Sequence, residues 1–476
     1  MQTAALRLAR SWVSVRPEAL GVLLLLLLSA TVRLPFLAGG QLDYDEGVYW
    51  LSLRAMAAGQ PLFSAVYSSQ PPAFLLLLAP AHLLSGGSIL ADRTVVFLLW
   101  LAGVAAGARV AYLLHSPAAA LLAGLLLSAD PLCFRESVTL QADGPALGLV
   151  LVALALAVES RGRSRCAAWL LALAAGAVYS TGVLTKLLAL PALPALAIVL
   201  AAAPLSRQTR ILRLLVAGAG AVVAAAAFLL PFVDRWPLLW AQVIGLHLHA
   251  RTSALGGLDL TTLLSEIPLL MAGLAGFLVA RRQAPLLALS GASWVIAASG
   301  GLALQRPLWP HHLLCVLVPL ALLGGSAAQL LQASIHLRRA AMLLLLVGLL
   351  GSALLVRAQV TPDASRQRAV AVLKKATAPG AYVITDDQYS VALANRDTPP
   401  ELVDTSKVRL VSGDLTTGTL ADISRQSNVQ AVLVDDQYGS LSQLPGFRFW
   451  AREEFPVVKR VGQGRLIYLK SRPRQA

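Results

Sequence analysis

Apolar runs long enough to cross a bilayer dominate the chain, and few folds are open to such a sequence. A hydrocarbon core about 30 Å thick needs about 20 mostly apolar residues per helix, with every backbone hydrogen bond satisfied inside the segment. Runs of this kind occur at 19–37, 93–113, 117–132, 145–158 (short), 167–185, 187–204, 211–232, 262–280, 284–304, 311–331 and 340–358. Only 13% of the 476 residues are charged, against roughly 25% in soluble domains. The formal net charge is +15, but the basic residues form no stripe of the kind that binds nucleic acid, and no nucleic-acid partner is expected. They sit in short clusters between apolar runs, as topology signals do.

Those clusters decide how the doubtful run 71–85 is read. It opens with Pro71-Pro72 and is broken by Pro80. The clusters are Arg7/Arg10/Arg16, Arg161/Arg163/Arg165, Arg207/Arg210/Arg213, Arg281/Arg282 and Arg338/Arg339. If 71–85 lies on the membrane without crossing, all of them fall on one side, as the positive-inside rule requires. If it crosses, the last four separate from the first. The expected architecture is therefore a polytopic α-helical membrane protein with about eleven spans in residues 1–360, its N-terminus inside. Arg7, Arg10 and Arg16 before a leucine run resemble a secretory leader, but Arg33-Leu34-Pro35 follows where small cleavage-site residues belong. An uncleaved first span is expected.

This topology leaves 38–92, 133–144, 233–261 and 305–310 outside, together with 361–476. In that last segment the apolar runs shrink to strand length, at 381–385, 429–434 and 465–469, with helix-like stretches at 364–377 and 415–427. The alternation predicts a small extracytoplasmic α/β domain. It carries no glycine-rich phosphate loop, and Gly462-Gln463-Gly464 reads as a turn before the last strand. No internal repeat is evident. Cys133, Cys166 and Cys315 lie far apart, in or beside apolar segments, and imply no disulfide framework.

Chemistry-bearing residues gather in the outer loops. Asp43-Tyr44-Asp45-Glu46 follows the first span, and the stretch after it has the interfacial pattern of a helix lying in the membrane surface. Carboxylates here suit proton abstraction from a hydroxyl or amine; a solvated helix N-terminus would favour the same residues. The second loop holds Asp130, Arg135, Glu136, Gln141 and Asp143. These either cap two helices, with Arg135 paired to Glu136 or Asp143, or form a second wall of one polar cavity. Lys186 ends a long apolar segment, where it either anchors a helix end or neutralises a lipid phosphate. Arg251 and Arg306 carry the same ambiguity. His247, His249, His311 and His312 have no carboxylate or cysteine partner at a familiar metal-binding spacing. No metal ligand is assigned, and no cofactor beyond an open question over a divalent cation.

In order along the chain, Asp45-Glu46-Gly47, Gly59-Gln60-Pro61, Tyr67-Ser68-Ser69-Gln70-Pro71-Pro72, Gly86-Gly87 with Arg93, Thr185-Lys186 and Arg306-Pro307-Leu308-Trp309-Pro310 resemble the GT-C superfamily of membrane glycosyltransferases. The likeness is to the branch holding the protein O-mannosyltransferases and the lipid A aminoarabinose transferase, over approximately residues 20–330. The resemblance implies sugar transfer with inversion from a polyprenyl-phosphate-sugar donor to a glycan, lipid or protein acceptor. It implies Asp45 as base or acceptor-orienting carboxylate, Glu46 as its support, Asp143 on the opposite wall, and Lys186 or Arg306 on the phosphate. Asp43, Arg54, Gln70, Arg135, Glu136 and Arg251 complete the implied substrate contacts. Ser69-Gln70 departs from the Glu-Lys pair frequent in such proteins, so a phosphate contact is lost or supplied elsewhere. A transporter or flippase of lipid-linked sugars is the rival reading. It would show repeated halves and ionisable residues at midplane, whereas the charges here sit at span ends.

Overall fold

Every one of the apolar runs forms helix in the computed structural model, which describes residues 17–202, 206–249, 258–332, 334–359, 363–435, 440–462 and 464–471. The membrane part comprises α1 (Pro17–Leu37), α2 (Tyr44–Ala57), α3 (Ala73–Leu84), α4 (Ile89–Leu114), α5 (Pro117–Ala129), α6 (Pro131–Val138), α7 (Asp143–Glu159), α8 (Arg165–Thr185), α9 (Leu193–Ala201), α10 (Arg207–Leu229), α11 (Ile267–Gln283), α12 (Pro285–Leu304), α13 (Leu314–Gly325) and α14 (Ile335–Gln359). Among the described residues, eight helices are long and apolar enough to span a bilayer, or nine if α5 and α6, bent by 67°, make one span. The runs at 187–204 and 262–280 come out as shorter apolar helices, Leu187–Ala201 and the 17-residue α11. The chain is a multi-pass membrane protein.

Large apolar side chains cover the outside of the bundle, among them Ile296 (72% exposed) and Leu344 (71%). Outward leucines of this kind would be a liability in water and are at home in lipid. Inside, helices approach through small residues. A Cβ on Gly176 would collide with the Ala217 carbonyl, and one on Gly220 with the Leu173 carbonyl, so α8 and α10 pack backbone to backbone.

The segment 71–85 does not cross. Helix α3 has 12 residues, a rise of about 18 Å at 1.5 Å per residue, which is too short for the core. Both of its ends also stay on one face. Before it, the Tyr67 amide donates to the Pro400 carbonyl (3.1 Å). After it, the Gly87 carbonyl accepts from the Trp50 indole (2.9 Å), and the Trp50 ring packs on Tyr389 at 5.7 Å.

Pro400 and Tyr389 belong to the C-terminal α/β unit. Its sheet has the order β1-β2-β4-β3, with β1 (Tyr382–Thr385) parallel to β2 (Val429–Asp435), and β4 (Arg465–Leu469) antiparallel to both β2 and β3 (Val457–Arg460). Helices α15 (Ala364–Ala376), α16 (Gln388–Leu393), α17 (Lys407–Val411), α18 (Thr417–Gln426) and α19 (Phe447–Glu454) accompany it. Strand β3, exposed throughout, is the one the sequence pattern misses, because no residue in it alternates into a core. A short repeat also escapes that pattern: the parallel strands each run into Asp-Asp-Gln-Tyr, at 386–389 and at 435–438. The Arg465 guanidinium gathers Asp435, Asp387 and Asp363 at 2.6, 3.2 and 2.5 Å, tying the strand ends to α15. The unit is seated on α2 at Gly47, where a Cβ would run into the Tyr389 amide.

A re-entrant α3 makes a topological prediction. Single cysteines placed by Ser88→Cys and Ser412→Cys, in a chain whose native cysteines are replaced, should react with an impermeant maleimide from the same side of the membrane. Labelling from opposite sides would refute this path for the chain.

Candidate functional site

The site starts with the N-terminus of α2. Asp43 caps it, its carboxylate accepting from the Asp45 amide at 3.1 Å. Successive helical residues point about 100° apart, so Asp45 and Glu46 face different ways. Asp45 faces a cavity of about 1020 Å³. Glu46 turns inward and is fully buried. There it takes a two-pronged contact from Arg93 (2.8 and 2.9 Å) and accepts from the Leu42 and Leu140 amides, each at 2.8 Å. Arg93 also donates to the carbonyls of Leu37, Gly39 and Gly40, closing the turn between α1 and α2. Glu46 therefore does not line the cavity; all of its bonding goes into holding the helix.

The second outer loop supplies the next wall. Asp130 caps α6, and Arg135 reaches across to Asp43 (2.7 Å) and the Leu42 carbonyl (2.8 Å). The expected pairing of Arg135 with Glu136 is looser, at 3.8 Å, and Glu136 is buried behind the wall. Asp143, expected to line the opposite wall, is also fully buried. It binds the Lys186 ammonium at 2.5 Å, and Lys186 is the member of that pair that lines the cavity. Helix α8 ends at Thr185 and Lys186 is extended (φ −156°, ψ 132°) before a 3-10 turn through Pro191. This break turns the lysine back toward the first residue of α7.

Other candidates separate. Gln70 and Ser69 line the cavity. Arg54 instead reaches the C-terminal unit, pairing with Asp397 at 3.0 Å and donating to the Ala392 carbonyl. Arg306 is exposed and donates to the Gln305 carbonyl. Arg251 lies outside the described residues. His247, His311 and His312, which sequence reasoning reads as structural or interfacial, all border the cavity. The last two stack edge to face at 4.6 Å. Among the described residues no group of three His, Cys, Asp or Glu side chains is placed to hold a metal ion.

Asp404, Ser406, Lys407 and Ser440 of the C-terminal unit close the remaining side, and nothing in the sequence pattern points to them. Asp404 accepts from the Ser69 hydroxyl (3.1 Å), and the Tyr44 hydroxyl accepts from the Thr405 amide (3.1 Å). The polar end opens into an apolar groove between the 187–194 stretch, with Leu190 and Pro194, and α12, with Ala298 and Leu302.

Among the described residues the Asp45 carboxylate, half-buried, has no hydrogen-bond or ion-pair partner. Burial, and then the neighbouring Asp43 carboxylate, push its pKa up to about 8, with Lys186 opposing. Burial raises Asp43 too, against the pull of Arg135.

No protein-family model matches the sequence, and no curated protein matches it. Solved structures do match. The fold is that of the GT-C membrane glycosyltransferases. ArnT from Cupriavidus metallidurans, solved bound to undecaprenyl phosphate, is similar at a TM-score of 0.66 and 17% identity, over 95% of this chain and 98% of that one. The oligosaccharyltransferase AglB from Archaeoglobus fulgidus, in complex with an inhibitory peptide and a dolichol-phosphate, is similar at 0.56 and 14% identity, over 96% and 74%. The arabinofuranosyltransferase AftD from Mycobacteria follows at 0.52 and 15%, over 97% and 42%. At these identities the likeness defines the fold.

The two adjacent carboxylates should respond oppositely to neutralisation. Glu46→Gln leaves the buried Arg93 charge without its partner, which costs about 3–5 kcal/mol and should lower the thermal midpoint clearly. Asp45→Asn removes a carboxylate whose ionisation burial opposes. That penalty grows as pH rises from the ordinary value of 3.8 toward about 8, so Asp45→Asn should keep or raise the midpoint, most visibly at alkaline pH. Thermal unfolding of both variants in detergent between pH 6 and 9 checks this; equal losses would reject the separation of roles.

Proposed function

We propose that the protein transfers a sugar from a polyprenyl-phosphate-sugar to an acceptor on the extracytoplasmic side of the cell membrane. The observation that carries the reading is the union, in one cavity, of an unpartnered carboxylate at Asp45 with an apolar groove between helices that faces lipid. A lipid-linked donor needs both: a groove for the chain and a polar end for the reacting carbon. ArnT and AglB, which share the fold, were solved with polyprenyl-type phosphates bound.

In this reading the acceptor oxygen or nitrogen attacks the anomeric carbon as the bond from that carbon to the phosphate oxygen breaks. The acceptor's proton passes to Asp45, directly or through one water, and the polyprenyl phosphate leaves with the electron pair. Attack opposite the leaving group inverts the anomeric centre. Lys186, held against Asp143, presents fixed positive charge toward the departing phosphate, where preorganised charge acts most strongly. Asp43 and Arg135 fix the first turn of α2. Glu46, behind the wall, acts through the residues it holds. Gln70 and Ser69 are polar contacts for the sugar. The acceptor is a glycan, a lipid or a protein, and the donor sugar a hexose or a pentose.

Incubating the purified protein with radiolabelled polyprenyl-phosphate sugars and scoring transfer and hydrolysis tests the function. Asp45→Asn should bind donor normally but lose transfer by at least about 100-fold, the lower end of what general base catalysis contributes. In the parent enzyme the base acts ionised, so kcat/KM should rise with pH and level off above about 8. Lys186→Met/Asp143→Asn removes the pair without stranding a buried charge and should fold yet transfer poorly. Near-normal turnover by Asp45→Asn would move the base elsewhere, and no transfer or hydrolysis with any donor would reject the function itself.

A further inference from the structure

Three groups with permanent positive charge line the cavity among the described residues: Arg135, Lys186 and Lys407. Arg135 is engaged by Asp43 at 2.7 Å and Lys186 by Asp143 at 2.5 Å. Lys407 has neither an ion-pair nor a hydrogen-bond partner for its ammonium among the described residues and is exposed to the cavity. Among the described residues it is thus the one uncommitted cation in a space that also holds Asp43, Asp45 and Asp404. Lys186 shares its charge with Asp143 and three carboxylates line the same space, so an anion bound there gains from a further positive charge.

The position of Lys407 says which anion that is. It begins α17, which packs on the Leu246–His249 helix. That helix and the residues before it bring apolar Ile244, Leu246 and Leu248 to the cavity lining. Among them His247 faces the Ser69 carbonyl at 3.4 Å, and Ser69 donates to Asp404, three residues before Lys407. Lys407 therefore stands where the greasy part of the cavity meets the polar part. An amphiphile with an apolar tail and an anionic head places its head at that boundary, because either displacement buries charge in hydrocarbon or exposes the tail.

We propose that Lys407, contributed by the C-terminal unit, binds the phosphate of the lipid-linked donor and makes that unit a working part of the donor site. The inference rests on the donor class given above and adds to it the residue, and the domain, that recognises the head group. It also supplies from a distant part of the chain a cation at the Ser69-Gln70 corner, where the sequence has none.

The test is equilibrium binding to the full-length protein in nanodiscs, with undecaprenyl phosphate, undecaprenol and inorganic phosphate as probes. Lys407→Gln should weaken undecaprenyl phosphate binding about tenfold, the effect of losing a hydrogen bond to a charged group, while undecaprenol binding is unchanged. Lys407→Arg should retain most of the affinity, and the charge-matched control Lys375→Gln, exposed on α15, should retain all of it. The affinity should fall with added salt in the parent protein and less steeply in Lys407→Gln. Unchanged undecaprenyl phosphate affinity in Lys407→Gln overturns the proposal while leaving the glycosyltransferase reading standing. Tight, Lys407-dependent binding of inorganic phosphate overturns it in favour of a soluble anion. Failure of the parent protein to bind undecaprenyl phosphate removes the donor class, and this inference with it.

Discussion

The arrangement of the site depends on a buried ion pair that never touches the cavity. Glu46 and Arg93 are both fully buried, and between them they bind the turn after α1, the start of α2, the head of α4 and the backbone at Leu140. A buried pair of this kind adds little net stability over an apolar equivalent, but it is very costly to break by halves. Its effect is on geometry: the guanidinium satisfies carbonyls of a loop with few other partners, and the carboxylate satisfies amides from two separate segments. With those four elements locked, the direction of the first turn of α2 is set. Asp45 then points into the cavity because its neighbour points away.

The same logic of paired charges continues around the wall. Arg135 is spent on Asp43 and Lys186 on Asp143. Each pair fixes a side chain, and each neutralises a charge that a low-dielectric site would otherwise penalise. Against that background a carboxylate with no partner stands out. Asp45 could have been tied down as easily as Asp43, which lies two residues away and shares its helix cap. A carboxylate kept at a disadvantage while it faces a cavity marks a working site, since folding alone gives no reason to keep it.

Much of this was legible in the residues, and the part that was not has a physical cause. Apolar run length and the one-sided basic clusters are local properties, so the helices, the non-crossing 71–85 segment and the α/β character of the tail could be read directly. Asp45 and Lys186 could be found because isolated charges next to long apolar runs are conspicuous. The division of labour between Asp45 and Glu46 could not, since it turns on which face of α2 meets Arg93, a contact 47 residues away. Asp143 was misplaced for a similar reason: the sequence puts it in an outer loop, but the break after Thr185 brings Lys186 in front of it. The cavity residues of the C-terminal unit were invisible, because the alternation in 361–476 announces an α/β domain on the outer face without saying which of its residues meet the membrane bundle. Even the doubled Asp-Asp-Gln-Tyr has its copies about 50 residues apart, too short a motif to stand out.

Docking of that unit is what turns a membrane bundle with an open mouth into a bounded site. The contact is an apolar core shared by both parts, running from Trp50, Leu53 and Val66 to Tyr389, Val391 and Val403, with polar and close-fitting contacts added to it. Gly47 admits the Gln388–Tyr389 backbone, the Arg409 guanidinium lies 3.5 Å over the Tyr67 ring, and Tyr44 is held by Thr405 and Gln388. Tyr44 sits between Asp43 and Asp45, so the same side chain that anchors the soluble unit belongs to the turn that carries the unpartnered carboxylate. Any shift of the C-terminal unit against α2 must therefore pass through Tyr44 to the first turn of that helix. In the proposed reading, a donor entering along the groove between the 187–194 stretch and α12 meets a wall built mostly from the membrane part and closed on one side by the sheet domain. The two parts are coupled by hydrogen bonds at the point where the chemistry would take place. The proposed transfer from an amphiphilic donor would use this division, with one part dissolved in lipid to receive the chain and one part in water to present the polar partner.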